Sequence, residues 1–262
     1  MTQPRDADWN PGTYERFRGL RLRPAVDLLA RVPDLPPGDV VDLGCGAGAA
    51  GPALRARFSG ARLLGLDASP AMLARAGATG SYHALTEGDI VAWEPTRSPA
   101  LIFSNAALHW LADHDRLMPR LAGFLPPSGV LAVQMPGNFT APSHLLLRDT
   151  AARLFPGRFS TTDDASPVQT ARTYAERLAP WGRIDAWETI YVQHLDPAAE
   201  GHPVRAFTES TAMRPYLARL TPAEAAQLFR AYDTALEAAY PRVADGSVLF
   251  PFRRVFLVLQ RG

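Results

Sequence analysis

Hydrophobic residues along the chain fall into short continuous runs that alternate with segments of helical spacing. The first run, Val40-Val41-Asp42-Leu43, follows the turn Pro36-Pro37-Gly38-Asp39 and precedes a glycine cluster, the pattern of a strand buried in a parallel sheet. Ala49 to Phe58 then has helical composition, with Leu54 and Phe58 four apart on one face, and Ser59-Gly60 ends it. Arg62 to Leu66 begins a second strand. Ser69 followed by Pro70 predicts an N-cap with proline at the first helical position, opening a helix over Ala71 to Ala76.

The alternation continues with a weak strand near Tyr82 to Leu85, a strand at Ala100 to Phe103, a helix from about Asp115 to Phe124 and a strand at Gly129 to Met135. Such order predicts an α/β fold with a doubly wound sheet and helices on both faces. Beyond Pro136 the pattern changes. Residues 142–180 and 203–241 read as helices broken by Pro, Gly and Asp, while Ile184 to His194 and Ser247 to Gln260 read as two late strands. The expected organisation is residues 1–137 as an N-terminal lid and ligand-binding core. Residues 138–262 then add helical cap segments and the last two strands, in one integrated domain.

Composition narrows the classes. No apolar run reaches the ~18 residues that a membrane span requires. A net charge of +1 argues against a broad nucleic-acid surface. All 27 cationic residues are arginine, so arginine excess by itself says little about anion binding. One cysteine, Cys45, excludes an internal disulfide, and the opening MTQPRDADWN has no apolar stretch of a secretory signal; the expectation is a cytoplasmic protein.

The chemistry gathers at Asp42-Leu43-Gly44-Cys45-Gly46-Ala47-Gly48, where the first strand turns into the first helix and glycines let backbone approach a nucleotide-like ligand. Gly46 to Gly51 also spells G-x-G-x-x-G, and Asp67 lies 21 residues beyond Gly46, the spacing of a dinucleotide site, so an NAD-dependent oxidoreductase stays as the distant alternative. Charge points the other way. Asp42 would repel a pyrophosphate but suits a ligand carrying an ammonium and a sulfonium, S-adenosylmethionine. Asp67, followed by Ala68 and Met72, can accept ribose hydroxyls, and Gly88-Asp89-Ile90 adds a carboxylate for an exocyclic amine. Asn105 and Ala106 follow the fourth strand beside the same crevice.

These motifs, DLGCGAG at 42–48, LDAS at 66–69 and GDI at 88–90, resemble class I S-adenosylmethionine-dependent methyltransferases. Further segments are similar to the trans-aconitate methyltransferase family over nearly the whole chain. They include DWNP at 8–11, SNAALHW at 104–110, VQMPGNF at 133–139, PSH at 142–144, WET at 187–189, RPY at 214–216 and FPFRR at 250–254. Ala47 stands where that family usually has proline. The resemblance implies a Rossmann-like, mostly parallel seven-stranded sheet with its last strand antiparallel, and methyl transfer to a carboxylate of a small polycarboxylic acid. Another carboxylic acid or a biosynthetic intermediate is the alternative acceptor.

A carboxylate is already ionised at neutral pH, so such a reaction needs no general base, and no catalytic residue is assigned. Positioning must carry it. Arginines suit a polyacid: Arg148, four residues from His144 on one helix face, comes first and Arg214 second. Of Arg253 and Arg254, strand alternation turns the side chains to opposite faces, and Arg253 is the candidate. His109 and Trp110 should line the acceptor pocket, and the resemblance supports Trp9 and Tyr14 as an N-terminal lid. Asp113-His114-Asp115 with His109 could suggest a metal, but Asp is an ordinary cap at a helix start and no metal site is assigned. Cys45 reads as a small packed residue and Trp93 as packing beneath a turn.

Overall fold

The computed structural model describes residues 18–159 and 166–262, with side chains from residue 22 onward. The proposed lid residues Trp9 and Tyr14 lie outside the described residues. The elements in order are α1 (Arg18–Ala30), β1 (Val40–Leu43), α2 (Gly51–Arg57), β2 (Leu63–Asp67), α3 (Pro70–Ala78), β3 (Ala84–Glu87) and β4 (Leu101–Asn105). A 3-10 turn at Leu108–Trp110 leads to α4 (His114–Gly123), β5 (Val130–Pro136), α5 (Pro142–Leu154), α6 (Ala171–Leu178) and β6 (Gly182–Leu195). Then come α7 (Pro203–Glu209), α8 (Arg214–Leu217), α9 (Pro222–Ala239) and β7 (Val248–Arg261). Among the described residues no helix is long and apolar enough to cross a membrane.

The seven strands form one sheet in the order β3-β2-β1-β4-β5-β7-β6. The pairs β1/β2, β1/β4, β2/β3 and β4/β5 are parallel, and β7 runs antiparallel to β5. The reversal of strand order at β1/β4 puts a crevice at the carboxyl ends of those strands, where a ligand binds in an open α/β sheet. Every residue of β1 is buried, as expected of a strand covered on both faces, and Leu101, Ile102, Phe103, Val130 and Leu131 continue the core.

Ser69 accepts the Met72 N–H at 3.4 Å, with Pro70 following it. At α4 the expected aspartate cap does not form. Asp113 sits in the left-handed region (φ 57°), so its carboxylate cannot turn back onto the first amides, and it lies 3.6 Å from Arg116 instead.

The chain divides into two compact units. The larger comprises Gly19–Gly137, Pro167–Thr189 and Arg253–Gly262, and holds the parallel strands. Helix α6 belongs to it: the Tyr174 hydroxyl meets His114 Nδ1 at 2.5 Å, and the Ala171 N–H donates to Glu188 at 3.1 Å. The other unit takes in Asn138–Ser166 and Ile190–Phe252, with α5, α7, α8 and α9.

In the smaller unit α5 starts without a side-chain cap, because Ala141 occupies the cap position and Pro142 has no N–H. The fully buried Ser143 N–H is satisfied by the Tyr240 hydroxyl at 3.0 Å, while the Tyr232 hydroxyl donates to the Ser143 carbonyl at 2.7 Å. Tyr240→Phe strands a buried donor and should lower unfolding free energy by about 1–3 kcal/mol, read as a lower urea midpoint. An unchanged midpoint would show that the tyrosine does not cap α5.

Candidate active site

The turn after β1 is built on three left-handed glycines, Gly44, Gly46 and Gly48, at φ 77°, 54° and 76°. They are glycine for different reasons. A Cβ on Gly44 would come within 2.3 Å of the Ala107 Cβ, and one on Gly48 within 3.0 Å of the Ala76 Cα. A Cβ on Gly46 would meet nothing within 4 Å. Packing therefore demands glycine at 44 and 48, while Gly46 borders open space that a ligand can approach.

Asp67, at the end of β2, holds this turn from the side. Its Oδ2 accepts the Gly46 N–H at 2.8 Å and its Oδ1 the Ser69 N–H at 2.9 Å, which ties the glycine turn to the start of α3. Each oxygen keeps a second lone pair for a hydroxyl donor. Ala68 is exposed beside it, and Met72 is buried in α3. Two residues past β3, Asp89 is exposed and turns one oxygen to the Val91 N–H at 2.9 Å; Ile90 follows, half-buried.

Asp42 is the third acid and the only buried one, 2% exposed. Burial pushes its pKa up to about 7, opposed by the Tyr82 hydroxyl, which donates to Oδ2 at 2.7 Å, and aided by the charge of Asp67. The three carboxylates therefore lie along adjacent strands β1, β2 and β3 at one end of the sheet. A positive ligand is favoured beside such a group, and a pyrophosphate is not. Sequence reasoning missed Tyr82, for an isolated tyrosine before a weak strand carries no local sign of a partner 40 residues away. Cys45 is buried and its thiol is pushed up by burial, then by Asp42 and Asp67, which makes it a packed residue rather than a nucleophile.

Asn105, the last residue of β4, and Ala106 just after it stand at the same end of the sheet. Ala106 takes a positive φ of 54° and donates its N–H to the Gln134 carbonyl at 2.9 Å. His109 has its imidazole held down near pKa 3 by burial, then by the charges of Arg254 and His114, so it is neutral at physiological pH. The Trp110 ring is half in solvent, tilted on His109 at 4.7 Å. Trp93 packs edge-on against Phe124 at 5.7 Å.

The expected arginine clamp is divided between the units. Arg253 belongs to the larger unit and is engaged there: its Nε donates to the Gly137 carbonyl and its Nη1 pairs with Glu188, each at 2.9 Å. Its neighbour Arg254, turned to the opposite face by strand alternation, is buried. Arg148, His144 and Arg214 belong to the smaller unit. Arg148 lies 3.6 Å from Asp149, and Arg214 opens α8, half-buried. Burial lowers His144 to about 4, so it adds no positive charge to an anion site near neutral pH.

Residues 14–182 match the family described as a methyltransferase domain. The trans-aconitate 2-methyltransferase of Methylobacterium radiotolerans is 42% identical over 261 residues, which cover 97% of this chain and 99% of that protein. That of Paracidovorax citrulli is also 42% identical over 261 residues, covering 97% and 98%. Among solved structures, Haemonchus contortus phosphoethanolamine N-methyltransferase 2 in complex with phosphomonomethylethanolamine and S-adenosylhomocysteine shares the fold. Its TM-score is 0.57 at 16% identity, over 99% of this chain and 59% of that one. The glycine turn, the acids beside it and an identity that runs nearly the full length of both chains agree: the chain belongs to the methyltransferases, in the trans-aconitate 2-methyltransferase family.

Proposed function

We propose that this protein is an S-adenosylmethionine-dependent O-methyltransferase that esterifies a carboxylate of trans-aconitate. The observation that carries the reading is the row of three acids, Asp42, Asp67 and Asp89, beside a glycine turn whose Gly46 faces open space. S-adenosylmethionine, when bound, supplies an electrophilic methyl group on a sulfonium. Asp67 would accept the ribose hydroxyls with the lone pairs its backbone contacts leave over, while Asp89 would take the adenine amine and Met72 and Ile90 would offer apolar surface to the ring. Gly44, Cys45, Gly46 and Gly48 give backbone approach. Asp42 would complement the positively charged end, with Asn105 at the end of the adjacent strand β4 and Ala106 just after it. The nearly full-length identity to proteins named for trans-aconitate supports the acceptor and its 2-carboxyl.

No residue needs to remove a proton, since the acceptor carboxylate is ionised at neutral pH. With the cofactor bound, these residues would contribute by alignment, fixing the acceptor carboxylate against the methyl donor. A site that excludes water would also favour a reaction between an anionic acceptor and a cationic donor. Arg148 and Arg214 remain the proposed carboxylate clamps of the smaller unit, and the working compartment is the cytoplasm.

The test is methyl transfer from labelled S-adenosylmethionine to a panel of trans-aconitate, cis-aconitate, citrate, isopropylmalate and a fatty acid. Turnover confined to trans-aconitate and close analogues is expected. Transfer to the fatty acid alone, or none to any acid while the cofactor binds, would overturn the acceptor assignment.

A further inference from the structure

Strand β5 is apolar at every position but one. Gln134, between Val133 and Met135, is 0% exposed, and neither its amide nitrogen nor its amide oxygen has a hydrogen-bond partner. Burying an unpaired amide costs about 1–3 kcal/mol, and an apolar side chain of the same size would avoid that cost. A residue that lowers stability and yet sits directly beside Asn105 and Ala106 of the site is a candidate for binding.

Its surroundings show what it would bind. Asn105 is the register partner of Gln134 on the β1 side, and its Oδ1 is likewise buried without a partner. On the other side, β5 pairs with β7 so that Gln134 faces Phe256 and Pro136 faces Arg254. Arg254 therefore projects from the same face of the sheet as Gln134, and it is only 4% exposed. His109, in the turn after β4, has a buried Nδ1 without a partner, and lies close enough to Arg254 for the arginine's charge to depress its protonation.

We propose that Gln134, His109 and Arg254 form a recognition site for a carboxylate of the acceptor, the one that is held and not the one that is methylated. The guanidinium supplies a fixed positive charge with a planar fork of donors. The neutral imidazole and the amide nitrogen supply further N–H groups without adding a second buried cation. All three stand at the carboxyl ends of β4 and β5, or beside them in β7, where the acceptor of a ligand bound at the glycine turn belongs. This inference rests on the carboxylate-methylation reading and places one anionic anchor in the larger unit, at residues other than Arg253.

The test uses Gln134→Met, which keeps the volume, and Gln134→Leu as a second apolar replacement. Acceptor binding is measured by calorimetry with trans-aconitate on protein saturated with S-adenosylhomocysteine, where no turnover occurs, alongside steady-state kinetics and melting temperature. Both variants should bind trans-aconitate about ten-fold or more weakly and raise its KM similarly. Their kcat and affinity for S-adenosylhomocysteine should stay near wild type, and their melting temperatures equal or higher. Acceptor affinities within two-fold of wild type would overturn the site, as would weaker binding that comes with lower melting temperatures in both variants, the mark of a structural glutamine. If the wild-type protein itself has no affinity for trans-aconitate, the functional reading falls and this site with it.

Discussion

Gly46→Ala should lower the affinity for S-adenosylmethionine at least about ten-fold while costing only about 1–2 kcal/mol of stability, the strain of placing a side chain in the left-handed region. The neighbouring change, Gly44→Ala, should do the reverse in kind. Its Cβ would sit 2.3 Å from the Ala107 Cβ, a distance no packing tolerates, in a backbone held at φ 77°. Together the clash and the strain should cost about 3 kcal/mol or more, seen as a large drop in melting temperature. The added methyl at Gly46 touches no protein atom within 4 Å, so its effect on binding measures what the open space is for. Melting curves and calorimetric titration of the two variants separate these effects. Wild-type cofactor affinity in Gly46→Ala would mean that the ligand does not approach the turn there.

The affinity for S-adenosylmethionine should also rise with pH between about 6 and 8. Burial holds Asp42 near 7, and a positively charged ligand binds better to its ionised form, so binding releases a proton from that carboxyl across this range. Stability moves the opposite way. With the folded pKa raised from 3.8 to about 7, the folded protein holds more proton than the unfolded chain between those values. That contribution is complete below pH 3.8 and is lost as pH rises to 7, up to about 4 kcal/mol. Asp42→Asn removes the ionisable group. It should flatten both curves, raise stability at pH 8 and weaken cofactor binding by about ten-fold or more. A binding curve that is pH-independent in the wild type, or equally sloped in Asp42→Asn, would move the linkage to another group.

What could be read from the sequence was local, and what could not was the work of distant partners. From β1 onward the order of strands and helices, the glycine turn and the Ser69 cap come from adjacent residues, and the structure has them within a few positions of the expected ones; α1 (Arg18–Ala30) was not among those expected. The acids at 42, 67 and 89 were legible because each lies within, at the end of or just beyond a strand that the apolar pattern marks. Asp113 was not, because an aspartate before a helix looks like a cap whatever its φ, and only the surrounding chain sets that angle. Alternation separates Arg253 from Arg254 but does not say which side holds a counter-ion. Glu188, 65 residues away, engages Arg253. Gln134 did leave a sign, a single amide in an apolar strand. Its meaning came from the missing hydrogen bonds, which only coordinates reveal.

The nature of the new bond tests the account most directly. Incubation with S-adenosylmethionine carrying a carbon-13 methyl group, followed by NMR of the product, identifies the atom that receives the methyl. The account predicts a methyl ester on a trans-aconitate carboxylate, formed by the protein alone and released again by alkali. A methyl group on carbon or nitrogen, or an alkali-stable product, would contradict it.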